Sequence, residues 1–293
     1  PDGFCGSVSI SETAPDLEAV KASRKLKSPS HLGVGVLDIC ALADCVFLGL
    51  HGIDGEDGKI QAALELLGVP YTGSGPLGSA MAMDKAVAKR IMESAGILTP
   101  KWREITYTAA DVPALVQELP VPCVVKAVDG GSSIGVSLPD TREQLEQALY
   151  DVLRYGHRIV VEEKIVGREF TQPVLGGDYL STIQIVPPEG STFDYVAKYQ
   201  SGAAAARELC PAPCTEEEHR LLGETALKLH HALGLSVYSR ADFILDAEGR
   251  PWCLEVNTLP GMTPNSLIPK AAKVAGMTYQ ELCEKIVSLS LAK

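Results

Sequence analysis

Three side chains near the C-terminal end of the chain, Asp242, Glu255 and Asn257, lie in two apolar runs that can bring them together. The runs are YSRADFIL (238–245) and PWCLEVN (251–257), joined by DAEGR, a pattern that predicts a β-hairpin. Pairing symmetric about Glu248 and Gly249 sets Asp242 opposite Glu255 and Arg240 opposite Asn257. The two-residue period of a strand then puts all four on one face. Two carboxylates opposed at about 4–5 Å repel by roughly 4 kcal/mol at an effective dielectric of about 20. A hard divalent cation removes that cost, and Asp, Glu and Asn oxygens suit Mg²⁺ that also holds phosphates. The alternative is a hairpin whose charges face water; the apolar flanks FIL and WCL, which place the strands in a core, weigh against it.

A second stretch, KAVDGGSSIGVS (126–137), gathers glycines and serines behind one lysine. In the common nucleotide-binding loop the lysine follows the glycines and opens a helix. Here Lys126 precedes them, at the end of the apolar run VPCVVKAV. Glycines let backbone N–H groups approach an anion closely without a helix terminus.

The whole chain bounds these readings. Its 293 residues carry a formal charge of −11, which argues against nucleic acid, whose backbone is held by clustered Lys and Arg. An anionic nucleotide therefore needs local lysines, backbone N–H groups and metal ions. The composition, 46% hydrophobic and 22% charged, is that of a soluble globular protein. No apolar run is long enough to span a membrane, and no secretory leader is visible. Eight cysteines are scattered, several inside apolar runs, which favours reduced thiols in a cytoplasmic protein over a disulfide framework. Cys210 and Cys214 have no second Cys or His pair at zinc spacing.

The elements that must position the candidate residues follow from periodicity. CVFLGLHG (45–52) reads as a buried strand, GEDGKIQAALELLG as a short helix, and VPYTGSG as another strand and turn. The stretch from Gly78 to Gly96 reads as helical. Strands are expected near 103–107 and 122–127, and an amphipathic helix from Asp140 to Tyr155, with Asp140 and Glu143 as its capping pair. RIVVEE (158–163) is a strand with two carboxylates at its exit, and 168–200 alternates strands and turns. Thr215 and Glu218 cap a helix that Gly234 stops, and two helices follow the hairpin. Antiparallel strands with helices between them indicate α+β modules.

Four segments together closely resemble the D-alanine–D-alanine ligases of the ATP-grasp superfamily, from about residue 45 to the C-terminus. They are MDK (83–85), GGSSIGVS, EVNTLPGMTPNSLIPK (255–270) and LHGIDGEDGKIQAALELLGVPYTGSG (50–75). The resemblance implies an ATP-grasp fold, α+β with an α/β N-terminal domain, divided at 1–84, 85–167 and 168–293. It implies that ATP phosphorylates one D-alanine and that the amine of a second displaces phosphate from the acyl phosphate, making the dipeptide of peptidoglycan precursors. Lys85 and Lys126 would bind phosphates, with Ser133 in the covering loop. Glu162 would accept from the adenine amino group, the backbone near Lys164 and Ile165 would meet the ring edge, and Glu169 would bind ribose.

Asp242, Glu255 and Asn257 match the family's ligands for two Mg²⁺ ions, for which Mn²⁺ can substitute. Arg240 and the Gly261 N–H would stabilise the oxyanion. Ser266 and the Leu267 backbone would hold the second D-alanine's carboxylate, and His51 would lie near the first. KYQSGAAAARELCPAP resembles a closing lid, with Lys198 at the nucleotide and Tyr199 near Ser132. Tyr199 favours D-alanine over D-lactate as acceptor. Glu56 and Asp57 are expected to organise the LHG loop. The family's first strand, with its glycine-rich turn and substrate-binding glutamate, finds no match in CGSVSISE, so the N-terminal domain is expected to be truncated. A homodimer is expected by resemblance. The alternatives are a ligase for another acceptor, such as D-serine, and a nucleotide-binding fragment without ligase activity.

Overall fold

The computed structural model describes residues 32–33, 35–129, 135–187 and 206–293. Residues 1–42 and 43–293 form separate compact units. The described part of the first unit contains helix α1 (Val36–Cys40). The second begins with a parallel bridge between Val46 and Tyr71, closed by Val46 N–H donating to the Pro70 carbonyl at 2.8 Å and Thr72 N–H to that of Val46 at 3.0 Å. The strands expected over 45–52 and at VPYTGSG reduce to this bridge. Leu48 is buried while Phe47 and Leu50 are exposed, so only one edge and one face of the segment are covered among the described residues.

Helix α2 (Lys59–Leu66) follows as expected. The single helix expected from Gly78 to Gly96 is two, α3 (Pro76–Met83) and α4 (Lys85–Ser94). Asp84 breaks them with an extended backbone, and its carboxylate accepts from Val87 N–H at 2.9 Å. An aspartate that caps the second helix cannot also continue the first. The break places Lys85 in the first turn of α4, where its N–H donates to the Val128 carbonyl at 3.1 Å.

Two antiparallel sheets carry the rest. The smaller has the order β1 (Trp102–Thr106), β4 (Arg158–Glu163), β2 (Cys123–Ala127), β3 (Val136–Ser137). Helices α5 (Val112–Glu118) and α6 (Arg142–Val152) pack Leu115, Leu145 and Leu149 against Val125, Ile159 and Val161. The strand period therefore turns Val124, Lys126, Val160 and Glu162 to the opposite face. Helix α6 is capped by Thr141 and Gln144, not by Asp140 and Glu143: threonine one residue later has the extended backbone and the side chain that accepts from Gln144 N–H.

The larger sheet has the order β10 (Pro251–Asn257), β9 (Tyr238–Leu245), β5 (Arg168–Leu175), β7 (Ile183–Val186), β8 (Arg207–Leu209), with β6 (Asp178–Tyr179) paired to β5. Its covered face packs Phe170, Phe243 and Cys253 against Leu222, Ala226 and Leu229 of helix α7 (Glu216–Ala232) and Met92 of α4. Thus α4, although it directly precedes the smaller sheet in sequence, shares the core of the larger one. Helices α8 (Leu267–Val274) and α9 (Tyr279–Leu291) end the chain. The linker from β4 to β5 passes close over β9. A Cβ at Gly167 would lie 2.2 Å from the Leu245 carbonyl oxygen, so glycine sets how closely the linker approaches.

Helix α7 is tied to the site-bearing strand by His230, which is buried and shares a 2.7 Å hydrogen bond with Ser239 of β9. Burial, with the neighbouring His231 adding to it, lowers the His230 pKa from 6.5 to about 4. The unfolded chain therefore takes up this proton at higher pH than the folded one. Stability should be complete above about pH 6.5 and fall by roughly 3 kcal/mol as pH drops to about 4. Denaturant titrations across that range should show this loss, and His230→Gln should flatten the curve. Parallel curves for the two proteins would refute the assignment.

Candidate active site

A cavity of about 480 Å³ lies between the two sheets. Val124, Lys126 and Glu162 line it from the smaller sheet; Glu169, Asp242 and Glu255 line it from the larger. The β4–β5 linker, including the Lys164 and Ile165 backbone, closes one side. Apolar side chains such as Leu138, Ile244 and Leu254 make another part of its wall. A cleft of this size with one apolar wall and convergent charges suits a small polar ligand with an apolar ring.

The hairpin delivers its residues as the sequence pattern requires, by a different route. Asp242 pairs with Glu255 and Arg240 with Asn257, but nearer the turn Cys253 pairs with Phe243 and Pro251 with Leu245. A bulge between Cys253 and Glu255 shifts the register by one residue. Symmetric pairing about Glu248 and Gly249 thus fails at the turn and holds at the site. Without the bulge, Glu255 would move out of register with Asp242 and its side chain would leave this face.

The opposed carboxylates do have partners within the chain. Asp242, 5% exposed, accepts from Thr171 Oγ1 at 2.6 Å and from Arg240 Nε and Nη2, each at 3.2 Å. Lys85 Nζ stands 3.4 Å from Glu255 Oε2. Asn257 Oδ1 accepts from Leu259 N–H at 3.0 Å, which leaves a second lone pair on that oxygen. Among the described residues no group of three or more His, Cys, Asp and Glu converges on one point. Two carboxylates and an amide therefore fit a Mg²⁺ ion that keeps waters and takes phosphate oxygens better than an all-protein cage.

On the facing sheet, one carboxylate serves two lysines. Glu162 Oε2 is 2.9 Å from Lys126 Nζ, and its Oε1 is 3.1 Å from Lys89 Nζ. Burial alone would raise the Glu162 carboxyl, but the Lys126 and Lys89 charges outweigh it and leave the pKa below its ordinary value. The family resemblance assigns Glu162 an adenine contact, and its neighbours here are two ammonium groups. With its side chain 1% exposed and both oxygens facing ammonium groups, it is placed to hold lysines. The adjacent Glu163 is exposed at the cavity wall. Lys89 was absent from the sequence reading, although its spacing of four from Lys85 puts both on one face of α4. Thr171, two residues beyond Glu169 on the same strand face, was also missed.

At the far end of β10, Gly261 and Ser266 approach closely: a Cβ on Gly261 would lie 2.8 Å from Ser266 Oγ. Ser266 is the N-cap of α8 and its Oγ accepts from Thr263 N–H at 3.1 Å. Leu267 is the first residue of that helix, where N–H groups lack partners within the helix and favour an anion. His51 Nδ1 is 3.1 Å from the Leu259 carbonyl; a carbonyl only accepts, so this bond puts the proton on Nδ1. Glu56 accepts from Gly52 N–H at 2.7 Å and Asp57 from Asp54 N–H at 3.0 Å, so both organise the loop around His51. The Lys164 ammonium turns to Asp140 at 2.6 Å, leaving its backbone at the cavity. Ser132, Ser133, Lys198 and Tyr199 lie outside the described residues.

Comparison with known proteins agrees with this architecture. The chain matches the models for the D-ala D-ala ligase N-terminus over residues 8–74 and the D-ala D-ala ligase C-terminus over residues 91–288. The first match includes residues before 45, where the motifs gave no signal. The chain is 41% identical over 283 residues to the D-alanine–D-alanine ligase of Maridesulfovibrio salexigens, covering 96% of this chain and 90% of that protein. It is 42% identical over 299 residues to that of Halalkalibacterium halodurans, covering 98% and 95%. Among solved structures, the Bacillus anthracis D-alanine–D-alanine ligase superposes with a TM-score of 0.77 at 36% identity, over 90% of this chain and 85% of that one. The same enzyme complexed with ATP gives 0.74 at 33% identity, covering 88% and 82%. A D-Ala:D-Ser ligase from Enterococcus faecalis gives 0.75 at 32% identity, covering 85% and 73%. With both family models matched in order and the ATP-grasp architecture present, the chain belongs to the D-alanine–D-alanine ligase family.

Proposed function

We propose that this chain is the ATP-dependent enzyme that joins two D-alanines into D-alanyl-D-alanine for peptidoglycan precursors. The observation that carries the reading is the cavity between the sheets. It brings Lys126 together with Asp242 and Glu255, while buried Lys85 stands beside Glu255 and Asn257 shares the hairpin face. Lysines there hold the phosphates of ATP by charge, while the apolar wall and the Lys164–Ile165 backbone accommodate the base. Glu169, 9% exposed at the start of β5, accepts from ribose hydroxyls, and Glu163 takes the place expected of Glu162 near the adenine amino group.

Asp242, Glu255 and Asn257 would hold Mg²⁺, two ions by family resemblance with Mn²⁺ able to substitute, and the bound metal would supply neutralisation of phosphate charge. The first D-alanine's carboxylate attacks the γ-phosphorus and ADP leaves. The second D-alanine's amine then attacks the acyl-phosphate carbonyl, and Arg240 and the Gly261 N–H stabilise the negative charge on that oxygen. Phosphate departs as the intermediate collapses. Ser266 and the Leu267 N–H at the α8 N-terminus hold the second substrate's carboxylate and so aim its amine. His51, oriented by the Leu259 carbonyl, faces the first.

The use of ATP supports a cytoplasmic location, and no described helix is long and apolar enough to cross a membrane; a homodimer is supported by the family resemblance. A second reading, D-serine as acceptor, is favoured by the near-equal superposition on the D-Ala:D-Ser ligase. The backbone serves both acceptors, and the choice belongs to the shape of the second pocket.

Phosphate release from ATP should be stimulated by D-alanine above D-serine, D-lactate and L-alanine, with the dipeptide as product; no stimulation by D-alanine would refute the reading. Glu255→Gln should lower Mg²⁺-dependent turnover by about 100-fold or more while circular dichroism stays unchanged. Ser266→Ala should raise the KM of the second D-alanine several-fold more than that of ATP.

A further inference from the structure

Lys89 is more deeply buried than either lysine assigned to phosphates, with its side chain 1% exposed. Its ammonium donates to Thr99 Oγ1 at 2.7 Å, and Thr99 donates to the Cys253 carbonyl on β10 at 2.9 Å. Its other partner is Glu162 Oε1 at 3.1 Å, and the same carboxylate reaches Lys126 at 2.9 Å. The trio holds two ammonium groups and one carboxylate, a sum of +1. Without Lys89, Glu162 and Lys126 would sum to zero at the cavity wall. Burial lowers the Lys89 pKa, and the Glu162 charge works against that loss. The cost of burying such a cation is large, and mere packing would be better served by an apolar side chain.

We propose that Lys89 is a positioning residue for ATP: it cancels the charge of Glu162, so that the carboxylate can hold Lys126 in place without neutralising it towards the phosphates. Glu162 is thereby a fixed anchor with a charge on each side. Thr99 and the Cys253 carbonyl fix the rear ammonium to the strand that also bears Glu255. The proposal rests on Lys126 as a phosphate-binding lysine.

The test compares Lys89→Gln, Lys89→Gln/Glu162→Gln and Lys126→Met with the parent, measuring KM for ATP and for D-alanine alongside thermal melts. Lys89→Gln should raise the ATP KM about tenfold, a 1.4 kcal/mol effect, and leave the D-alanine KM within about twofold. The double variant restores the +1 sum through Lys126 alone and should recover most of the loss. A packing role would instead make the double variant as weak as the single, or move both KM values together; either result overturns the proposal, as does an unchanged ATP KM in Lys89→Gln. If Lys89→Gln does not fold, the double variant decides. An ATP KM within about threefold of the parent supports charge cancellation, and a rise of tenfold or more refutes it. An unchanged ATP KM in Lys126→Met would show instead that the phosphate role of Lys126 is wrong.

Discussion

The cavity between the two sheets is governed by the need to concentrate positive charge inside a chain whose formal charge is −11. Cations buried between sheets are stable only beside carboxylates, yet carboxylates at the same place would repel an anionic ligand. The structure meets both demands by pairing. Lys126 shares Glu162 with Lys89, Lys85 stands by Glu255, and Arg240 holds Asp242. Each carboxylate fixes a cation in position, and Lys89 of α4 brings a second ammonium to the one carboxylate, Glu162, that holds Lys126 on the smaller sheet. The same contacts join elements distant in sequence: α4 to β4 through Lys89, and α4 to β10 through Lys85.

The hairpin is the second determinant. Its acidic pair faces the cavity because a one-residue bulge beside Glu255 corrects the register set by the turn. Bulges re-aim side chains next to functional sites, and this one turns the Asp242–Glu255 pair and the Arg240–Asn257 pair to one face. Thr171 of β5 extends that face by a hydrogen bond to Asp242, so three adjacent strands shape the acidic patch. The repulsion that pointed to a divalent ion is met in part by arginine and lysine, and the donor set still suits an ion that brings its own waters and phosphate oxygens.

The residues proposed for the two amino-acid substrates lie on loops and helix ends, not on sheet faces. Gly261 and Ser266 lie in the turn between β10 and α8, and His51 reaches the Leu259 carbonyl in the same turn from more than two hundred positions earlier. The fold superposes almost equally on a D-alanine–D-alanine ligase and on a D-Ala:D-Ser ligase, so the backbone alone does not separate the two acceptors.

The sequence by itself determined the elements whose signals are local. The hairpin, the Thr215–Glu218 cap, the Gly234 stop and the strand ending near Lys126 need only periodicity and capping chemistry, and the antiparallel α+β class follows from their order. Tertiary structure decided what depends on neighbours. The run 45–52 is apolar enough for a strand, yet its described pairing is a single bridge. Gly78–Gly96 has unbroken helical periodicity, yet Asp84 caps a second helix. Glu162 has the sequence context of an exposed strand-end acid, and the packing of α4 across the sheets turns it into a buried counter-ion. Lys89 shows the same limit: its spacing from Lys85 is visible in the sequence, but its charge acquires a role only where burial removes water and leaves Glu162 to answer it.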